Sequence, residues 1–319
     1  MIRTLARRLP RPARDALRRG RHRYRSTRYR LCERVRPTPL GSADVARALR
    51  ECGLEVGDSC FVQAGMSGFG NFEDGPATVL AGIDEALGEK GLVTMPTFPL
   101  TRPAIEHFAD DPIFDVRTTP SRMGAVSEAF RQLPDTRRSI HPSHSVAARG
   151  PGAEEIVAGH ETATTPFGEG TPFPRIVERD ALQVFFGTGT GVLTMYHWFE
   201  VTRRPPFPLD VFADRFFDVR CVGWEGEELL VRTLVHDPRY LPVRIDSNAH
   251  LQGVFRDAML DAGGRSVTLG RGEIIAIRLQ PMARLFEELL DQGVTIYHGA
   301  ELPATAPSIP LEERVPGYA

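Results

Sequence analysis

Short apolar runs alternate along this chain with segments of helical periodicity. Residues 60–63, 91–95 and 181–186 form three such runs, and Pro96 and Gly187 end the second and third of them. Residues such as 77–87 between the runs carry apolar side chains at three- and four-residue spacing. This alternation is typical of an α/β sandwich with a largely parallel sheet, and it excludes an all-helical or all-strand chain.

The second half of the chain carries a different pattern. Residues 215–223 and 228–234 have strand-like composition and are joined by a short turn that contains glycine. Two strands so close in sequence predict an antiparallel pair. Residues 282–290 follow with helical spacing after Pro281, which suits the first turn of a helix. We therefore predict an added antiparallel β portion in the C-terminal half.

One segment has side chains suited to acid–base chemistry. Residues 194–200 read Thr-Met-Tyr-His-Trp-Phe-Glu and follow the strand-like run 181–186 and a glycine-rich turn. In a helix, Thr194, His197 and Glu200 would fall at i, i+3 and i+6, so that His197 and Glu200 are neighbours. A carboxylate beside an imidazole fixes its tautomer and makes it a general base. The same spacing also occurs in ordinary surface pairs, and Thr194 could simply cap the helix.

Three segments in order resemble a known family. Residues 138–150 read Arg-Ser-Ile-His-Pro-Ser-His-Ser-Val-Ala-Ala-Arg-Gly, residues 167–172 read Phe-Gly-Glu-Gly-Thr-Pro, and residues 194–200 complete the set. Together they resemble the aminoglycoside 3-N-acetyltransferase family, also called the antibiotic N-acetyltransferase family. The resemblance runs from about residue 40 to about residue 290.

The resemblance implies a fold, an activity and a site. It implies a three-layer α/β/α sandwich over residues 40–300, an acyl-CoA co-substrate, and direct transfer of an acyl group to the amine of a small-molecule acceptor. By resemblance, the catalytic residues are His197, Glu200 and Thr194, and the coenzyme-binding residues are Gln63, Ala64, Gly65, Ser139, Ser145 and Phe167. We further expect no metal cofactor, and a monomer or homodimer.

The chain departs from the family pattern at the end of the first strand. The family usually has a His-Ser-Ser-Leu-like segment there, beside the thioester, whereas residues 62–66 read Val-Gln-Ala-Gly-Met. Backbone N–H groups around Ala64 and Gly65 could still hold the thioester oxygen. Two alternatives therefore stay open: a repurposed or non-catalytic homologue that binds a ligand, and a biosynthetic acyltransferase with a non-aminoglycoside acceptor.

Metal and redox chemistry have weak support in the sequence. His141 and His144 have HxxH spacing, but Pro142 disfavours a helix there and no third ligand is nearby. The four cysteines lack CxxC spacing, so we predict reduced thiols at Cys32, Cys52, Cys60 and Cys221.

Charge is concentrated at the N-terminus. Residues 1–36 contain 14 Arg, no Lys and two acidic residues, a net charge of +12; since the whole chain carries −2, residues 37–319 carry −14. Such an arm could bind nucleic acid or an anionic membrane, or it could be a flexible extension. We favour an extension over residues 1–39, with no nucleic-acid partner, and a proline-rich tail over residues 301–319.

Apolar segments long enough for targeting or membrane insertion are missing from the sequence. No run reaches eighteen apolar residues, so we predict no membrane span. The start lacks a secretory apolar region, which predicts a cytoplasmic protein.

Overall fold

A seven-stranded sheet forms the centre of the protein. The computed structural model describes residues 39–204 and 206–297, so residues 1–38 of the predicted arm and the whole predicted tail lie outside the described residues. In chain order the strands are β1 Ser59–Ala64, β2 Leu92–Pro96, β3 Phe114–Asp115, β4 Arg137–Arg138, β5 Val146–Arg149, β6 Leu182–Phe186, β7 Phe217–Val222, β8 Glu228–Thr233, β9 Arg265–Leu269 and β10 Gly272–Arg278. The large sheet has the order β4-β5-β2-β1-β6-β10-β9.

Helices cover both faces of this sheet. In chain order they are α1 Ser42–Glu51, α2 Pro76–Leu87, α3 Ala104–Phe108, α4 Ala125–Arg131, α5 Ala153–Val157, α6 Pro172–Glu178, α7 Thr194–Thr202, α8 Ala249–Asp261 and α9 Leu279–Asp291. Val62 and Val184 pack with α1, α2 and α4 in one apolar core. Phe61 precedes Val62 on β1, and Phe185 follows Val184 on β6. These two rings pack with α5 to α9 in a second apolar core on the opposite face of the sheet. Successive strand residues point to opposite faces, so this division confirms the predicted three layers.

The sheet is parallel only at its centre. β1 pairs in parallel with β2 and with β6, whereas β5, β4, β10 and β9 are antiparallel to their neighbours. The prediction of a largely parallel sheet was therefore wrong for the outer strands. The three central strands are buried along almost their whole length, which explains their continuous apolar runs.

A second, three-stranded sheet contains the predicted hairpin. β7 and β8 pair antiparallel and β3 joins β7 in parallel, so the order is β3-β7-β8. The antiparallel portion is thus confirmed, but the sequence analysis missed β9, β10 and α8. The long connection over residues 97–120 contains α3 and β3.

Cysteines and helix lengths add two further observations. Cys52, Cys60 and Cys221 are free and buried, and burial raises the pKa of each thiol to about 12. The predicted reduced thiols are confirmed for these three; Cys32 lies outside the described residues. Within the described part of the chain, no helix combines the length and apolar character that a bilayer crossing requires.

Candidate active site

The carboxyl ends of the parallel strands meet the start of α7. β1 ends at Ala64 and β6 at Phe186, and these two residues are register partners. Gly187 then turns with φ of 69°, and a side chain there would collide with the Phe69 ring and the Gly65 carbonyl. Only glycine allows this close approach, which brings the chain back over the sheet edge before α7. Ligand sites of α/β sheets are commonly found at this edge.

His197 and Glu200 form the predicted pair on α7. His197 Nδ1 lies 2.8 Å from Glu200 Oε2, and both side chains are largely buried. Glu200 also accepts a hydrogen bond from the Tyr297 hydroxyl at Oε1, over 2.7 Å. A second imidazole contacts the same carboxylate: His236 Nε2 lies 3.2 Å from Oε2. One carboxylate thus holds two histidines and a tyrosine.

The electrostatics keep Glu200 ionised. Burial alone would raise the pKa of this carboxyl, but the charge and hydrogen bond of His197 and the hydrogen bond of His236 lower the pKa to about 2. An ionised carboxylate only accepts hydrogen bonds, so the ring nitrogens that face it carry hydrogen. Neutral His197 therefore carries its hydrogen on Nδ1 and has a free lone pair on Nε2. This is the tautomer that a general base needs.

Aromatic rings enclose the two histidines. The Phe167 ring is fully buried, with its centroid 5.3 Å from that of His197 and 5.8 Å from that of His236. His144 packs edge-on against Phe167 at 4.8 Å. The structure thus brings the predicted Phe167 next to the His197–Glu200 pair, where its ring packs against the imidazole.

Gln63 connects the first strand to α7. Its amide donates to Val192 O over 2.7 Å and to Thr194 Oγ1 over 2.9 Å, and Gln183 Nε2 lies 3.3 Å from its Oε1. The side chain is only 6% exposed. Gln63 therefore acts as an internal connection that positions Thr194, and its predicted contact with the coenzyme stays a prediction.

The Gly65 amide is occupied by a backbone carbonyl. Gly65 N donates to Phe186 O over 2.7 Å, which continues the β1–β6 pairing past the end of the strand. The Gly65 N–H thus has an internal partner in this structure, and the expectation that backbone N–H groups around Ala64 and Gly65 hold the thioester oxygen stays a prediction. Ala64 lies beside it with 6% of its surface exposed.

Ser139 and Ser145 direct their hydroxyls into the protein. Ser139 Oγ accepts from Val146 N over 2.9 Å and contacts His160 Nδ1 at 2.8 Å. Ser145 Oγ donates to Thr97 O over 2.9 Å and accepts from Arg138 Nε over 3.1 Å. Both side chains are fully buried. The geometry thus gives the two hydroxyls structural partners, and their role in coenzyme binding stays a prediction.

Three residues of the site have the composition of a metal centre. His197, Glu200 and His236 each offer one ligand atom, and these atoms lie within 4.8 Å of one another. Two histidines and a carboxylate can hold a divalent cation such as Zn²⁺. The two ring nitrogens already hydrogen-bond to the carboxylate, so the polar groups are satisfied without a cation. The expected absence of a metal stays a prediction.

His141 and His144 are not a ligand pair here, because His141 Nδ1 accepts from Ser143 N and His144 N.

The burial of four histidines leads us to expect that the free energy of unfolding falls in mild acid. Burial lowers the pKa of His160 to about 3 and that of His236 to about 4, and it lowers the pKa of His141 and His144 well below 6.5. An unfolded histidine titrates near about 6.5, so below that pH the unfolded chain binds more protons. We expect the free energy of unfolding to fall between about pH 7.5 and about pH 5.5, by about 1 kcal/mol for each of the four. Carboxyls with lowered pKa values, such as Glu200, contribute only at lower pH.

Urea unfolding at the two pH values measures this slope. The variant His160→Gln should reduce the slope, whereas His250→Gln should leave it unchanged because His250 is exposed. Equal slopes for all three proteins would contradict the expectation.

Sequence reasoning missed His236, Tyr297 and Arg244. His236 follows β8 as a single histidine without a motif, and Tyr297 lies 97 residues from Glu200. The Arg244 guanidinium pairs with Asp246, and the charge of Arg244 contributes to the lowered pKa of His236. No local spacing signals these long-range contacts.

Comparisons with known proteins agree with the three motifs. The sequence model described as Aminoglycoside 3-N-acetyltransferase matches residues 61–291. Relatives include aminoglycoside N(3)-acetyltransferase IV from Salmonella sp, 29% identical over 167 residues, and aminoglycoside N(3)-acetyltransferase VII from Streptomyces paromomycinus, 28% identical over 183 residues. These alignments cover 52% and 53% of this chain and 60% and 62% of the relatives, so the chain spans about three fifths of their length.

Solved structures share the fold. AAC-IIIb in a binary complex with CoASH has a TM-score of 0.67 and 21% identity, over 85% of this chain and 100% of that one. AAC-VIa bound to sisomicin has a TM-score of 0.65 and 23% identity, over 82% of this chain and 100% of that one. The sequence match extends from β1 to the end of α9 and so covers most of the chain. This chain belongs to the aminoglycoside 3-N-acetyltransferase family.

Proposed function

We propose that this protein is a CoA-dependent N-acetyltransferase that moves an acetyl group from acetyl-CoA to an amine of an aminoglycoside or related natural product. The observation that carries the proposal is the His197–Glu200 pair at the carboxyl edge of the sheet, with its tautomer fixed by an ionised carboxylate. The names of the relatives support the reaction class, and the binary complex of AAC-IIIb with CoASH supports the co-substrate.

The reaction proceeds by direct transfer. The acceptor amine attacks the thioester carbonyl carbon while His197 Nε2 takes a proton from its nitrogen. The carbonyl oxygen becomes an oxyanion, the carbon–sulfur bond then breaks, and the CoA sulfur leaves with the electron pair. His197 can return its proton to that sulfur, so the base is ready for the next cycle. A positioned base of this kind contributes about 10²–10⁴-fold in rate.

Thr194 is suited to stabilise the oxyanion. Its Oγ1 accepts the Gln63 amide hydrogen, and its own hydroxyl hydrogen can then donate to the developing charge. One such donor is worth roughly 3 kcal/mol in a transition state. The Gly65 amide cannot take this role while it donates to Phe186 O.

A biosynthetic acyltransferase with a different acceptor is the second candidate. Basic side chains favour it: Arg203 and Arg204 follow the catalytic helix directly, and Arg244 lies close enough to influence His236. Arg203 is paired with Glu287 and Arg244 with Asp246, which moderates their positive field. Cationic groups near a site disfavour a polycationic acceptor.

Calorimetric titration with acetyl-CoA tests the donor half of the proposal. We expect a dissociation constant on the order of micromolar for the wild-type protein. The variant His197→Gln should bind equally well, because His197 acts on the acceptor and not on the coenzyme. If neither acetyl-CoA nor free CoA binds, a repurposed homologue that binds another ligand becomes the better description.

Release of free CoA thiol in the presence of candidate amines tests the acceptor half. Sisomicin is a sensible first acceptor, since a related structure is described with it bound. An uncharged or singly charged natural-product amine serves as the comparison. Turnover with sisomicin supports the first candidate, whereas turnover only with the comparison amine supports the biosynthetic one.

A further inference from the structure

Three ligand atoms converge beside the proposed base. His197 Nδ1 lies 2.8 Å from Glu200 Oε2, and His236 Nε2 lies 3.2 Å from the same oxygen. All three atoms lie within 4.8 Å of one another. Ligand atoms of a tetrahedral zinc ion, each about 2.1 Å from the metal, are about 3.4 Å apart. A zinc ion therefore fits between these groups once the rings and the carboxylate separate by roughly half an ångström.

The elements that carry the three ligands suit a shared metal ion. His197 and Glu200 lie three residues apart on α7, so their side chains lie on the same face of the helix. His236 follows β8, and an isolated antiparallel bridge between residues 212 and 236 holds its backbone. Two histidines and one carboxylate form the set that zinc takes in sites with an open fourth position. The donor set therefore matches a zinc site of that kind.

Neighbouring side chains hold the ligands in place. The Tyr297 hydroxyl donates to Glu200 Oε1 over 2.7 Å, while Glu200 Oε2 faces the two imidazole rings. The Phe167 ring centroid lies 5.3 Å from that of His197 and 5.8 Å from that of His236. A hydrogen bond to the outer atom of a ligand orients that ligand and supports metal affinity. The three groups are thus arranged before any cation arrives.

Charge and access also permit a cation to bind. The Arg244 guanidinium lies close enough to influence His236, but it pairs with Asp246 over 2.8 Å, which offsets its positive charge. The His197 and His236 side chains are 12% and 13% exposed, so solvent reaches both rings. A small hydrated cation can therefore approach the cluster from the solvent side of the rings.

We propose that His197, Glu200 and His236 form an inhibitory Zn²⁺ site, in which the cation binds His197 Nδ1, Glu200 Oε2 and His236 Nε2. The cation is an inhibitor and no resident cofactor, because hydrogen bonds satisfy these groups without it. Binding of the cation stands on the geometry alone, whereas the inhibition rests on the proposed function.

Zinc on His197 Nδ1 removes the tautomer that acetyl transfer needs. A ring nitrogen that binds a metal carries no hydrogen, so the hydrogen of neutral His197 moves from Nδ1 to Nε2. In the same way, the hydrogen of His236 moves from Nε2 to Nδ1. Both rings stay neutral, so no proton is gained or lost overall. With hydrogen on Nε2, His197 has no lone pair for the proton of the acceptor amine, and acetyl transfer stops.

Calorimetric titration of the chelator-treated full chain with ZnCl₂ tests the binding. We expect a single tight zinc site in the wild type and its loss in His236→Gln, which keeps an N–H donor but lacks the ligand nitrogen. Tyr297→Phe keeps all three ligands but removes the hydrogen bond to Glu200, so zinc affinity should fall by about 10–100-fold. His250→Gln removes an exposed histidine and should bind zinc as the wild type does.

Two outcomes of this titration would overturn the proposed site. One is a wild type without a tight zinc site, and the other is a tight site that persists unchanged in His236→Gln. Urea unfolding without zinc shows whether each variant is folded. If His236→Gln does not fold, Tyr297→Phe decides, and an affinity equal to that of the wild type contradicts the site.

Initial rates with and without ZnCl₂ test the inhibition. The acetylated amine is counted by mass spectrometry, because free CoA thiol itself binds zinc. The wild-type rate should fall as the zinc site fills and return with excess chelator, while the dissociation constant of acetyl-CoA stays unchanged. His236→Gln should keep in zinc whatever rate it has without zinc.

The binding and rate experiments fail separately. Zinc that fills the site without slowing the wild type would overturn the inhibition. If the wild type transfers no acetyl group even without zinc, the proposed function fails, while the calorimetric titration still decides whether His197, Glu200 and His236 bind the cation.

Discussion

Replacing His197 with glutamine should lower the rate of acetyl transfer by about 10²–10⁴-fold, the contribution of a positioned general base. Glutamine preserves an amide that can donate to Glu200, so the carboxylate keeps a partner and the helix keeps its packing. Glutamine has no lone pair of comparable basicity, so the amine must lose its proton to water instead. Steady-state release of CoA thiol at saturating acetyl-CoA measures the loss.

Affinity and stability serve as the controls for this loss. The acetyl-CoA dissociation constant of His197→Gln should match that of the wild type, and its thermal midpoint should shift little. His250→Gln removes an exposed histidine and should have wild-type turnover. If His197→Gln turns over at the wild-type rate, His197 is not the base and the proposed mechanism is lost.

Replacing Arg138 with methionine should destabilise the fold by on the order of 3 kcal/mol. Arg138 is 1% exposed, and its guanidinium donates to Thr97 O and to Thr119 O, each over 2.6 Å. It also lies over the Phe114 ring at 4.7 Å. Methionine fills the volume but removes both donors. Thr97 O still accepts from Ser145 Oγ, whereas Thr119 O loses its guanidinium partner, and an unpaired buried acceptor costs roughly 1–3 kcal/mol.

A buried charge offsets part of that cost. Burial lowers the pKa of Arg138 to about 9, so the guanidinium is still charged at neutral pH. Keeping this charge away from water costs free energy in the folded state. Arg138→Met removes this desolvation cost, so we expect the free energy of unfolding to fall by less than the summed contributions of the broken hydrogen bonds. Urea unfolding at neutral pH measures the difference.

Arg137→Met is the matched control for Arg138→Met. Arg137 is the adjacent residue, with a half-exposed side chain that pairs with the exposed Glu154. Surface pairs of this kind contribute about 0–1 kcal/mol, so the control should lose little stability. Equal losses in the two variants would refute the structural role assigned to Arg138.

Local patterns predicted the elements on which the site is built. The runs that became β1, β2 and β6 are apolar because both faces are buried, and the spacing of His197 and Glu200 requires only that α7 be helical. The direction of the outer strands depends on how distant segments of the chain return to the sheet, which local sequence does not encode. The sequences of β9 and β10 are also less distinctive than the apolar runs of the central strands.

Local sequence patterns do not predict contacts between side chains that are far apart in the chain. His236 and Tyr297 contact Glu200 across 36 and 97 residues. Ser139 and Ser145 have the residue types of a ligand site, yet their hydroxyls bond to His160 and Arg138. A motif shows that a residue type matters at a position, and only the fold decides whether it faces a ligand or the interior.

The connection made by Gln63 has an evolutionary consequence. Its amide donates to Thr194 and to Val192, and it receives a bond from Gln183, so three side chains share one arrangement. Substitution of Gln63 alone would leave a buried hydroxyl and a carbonyl without their donor. Changes at residues in one hydrogen-bond network are not additive. Substitutions at positions 63, 183 and 194 are therefore expected to be epistatic, so the effect of a change at one position depends on the residues at the other two.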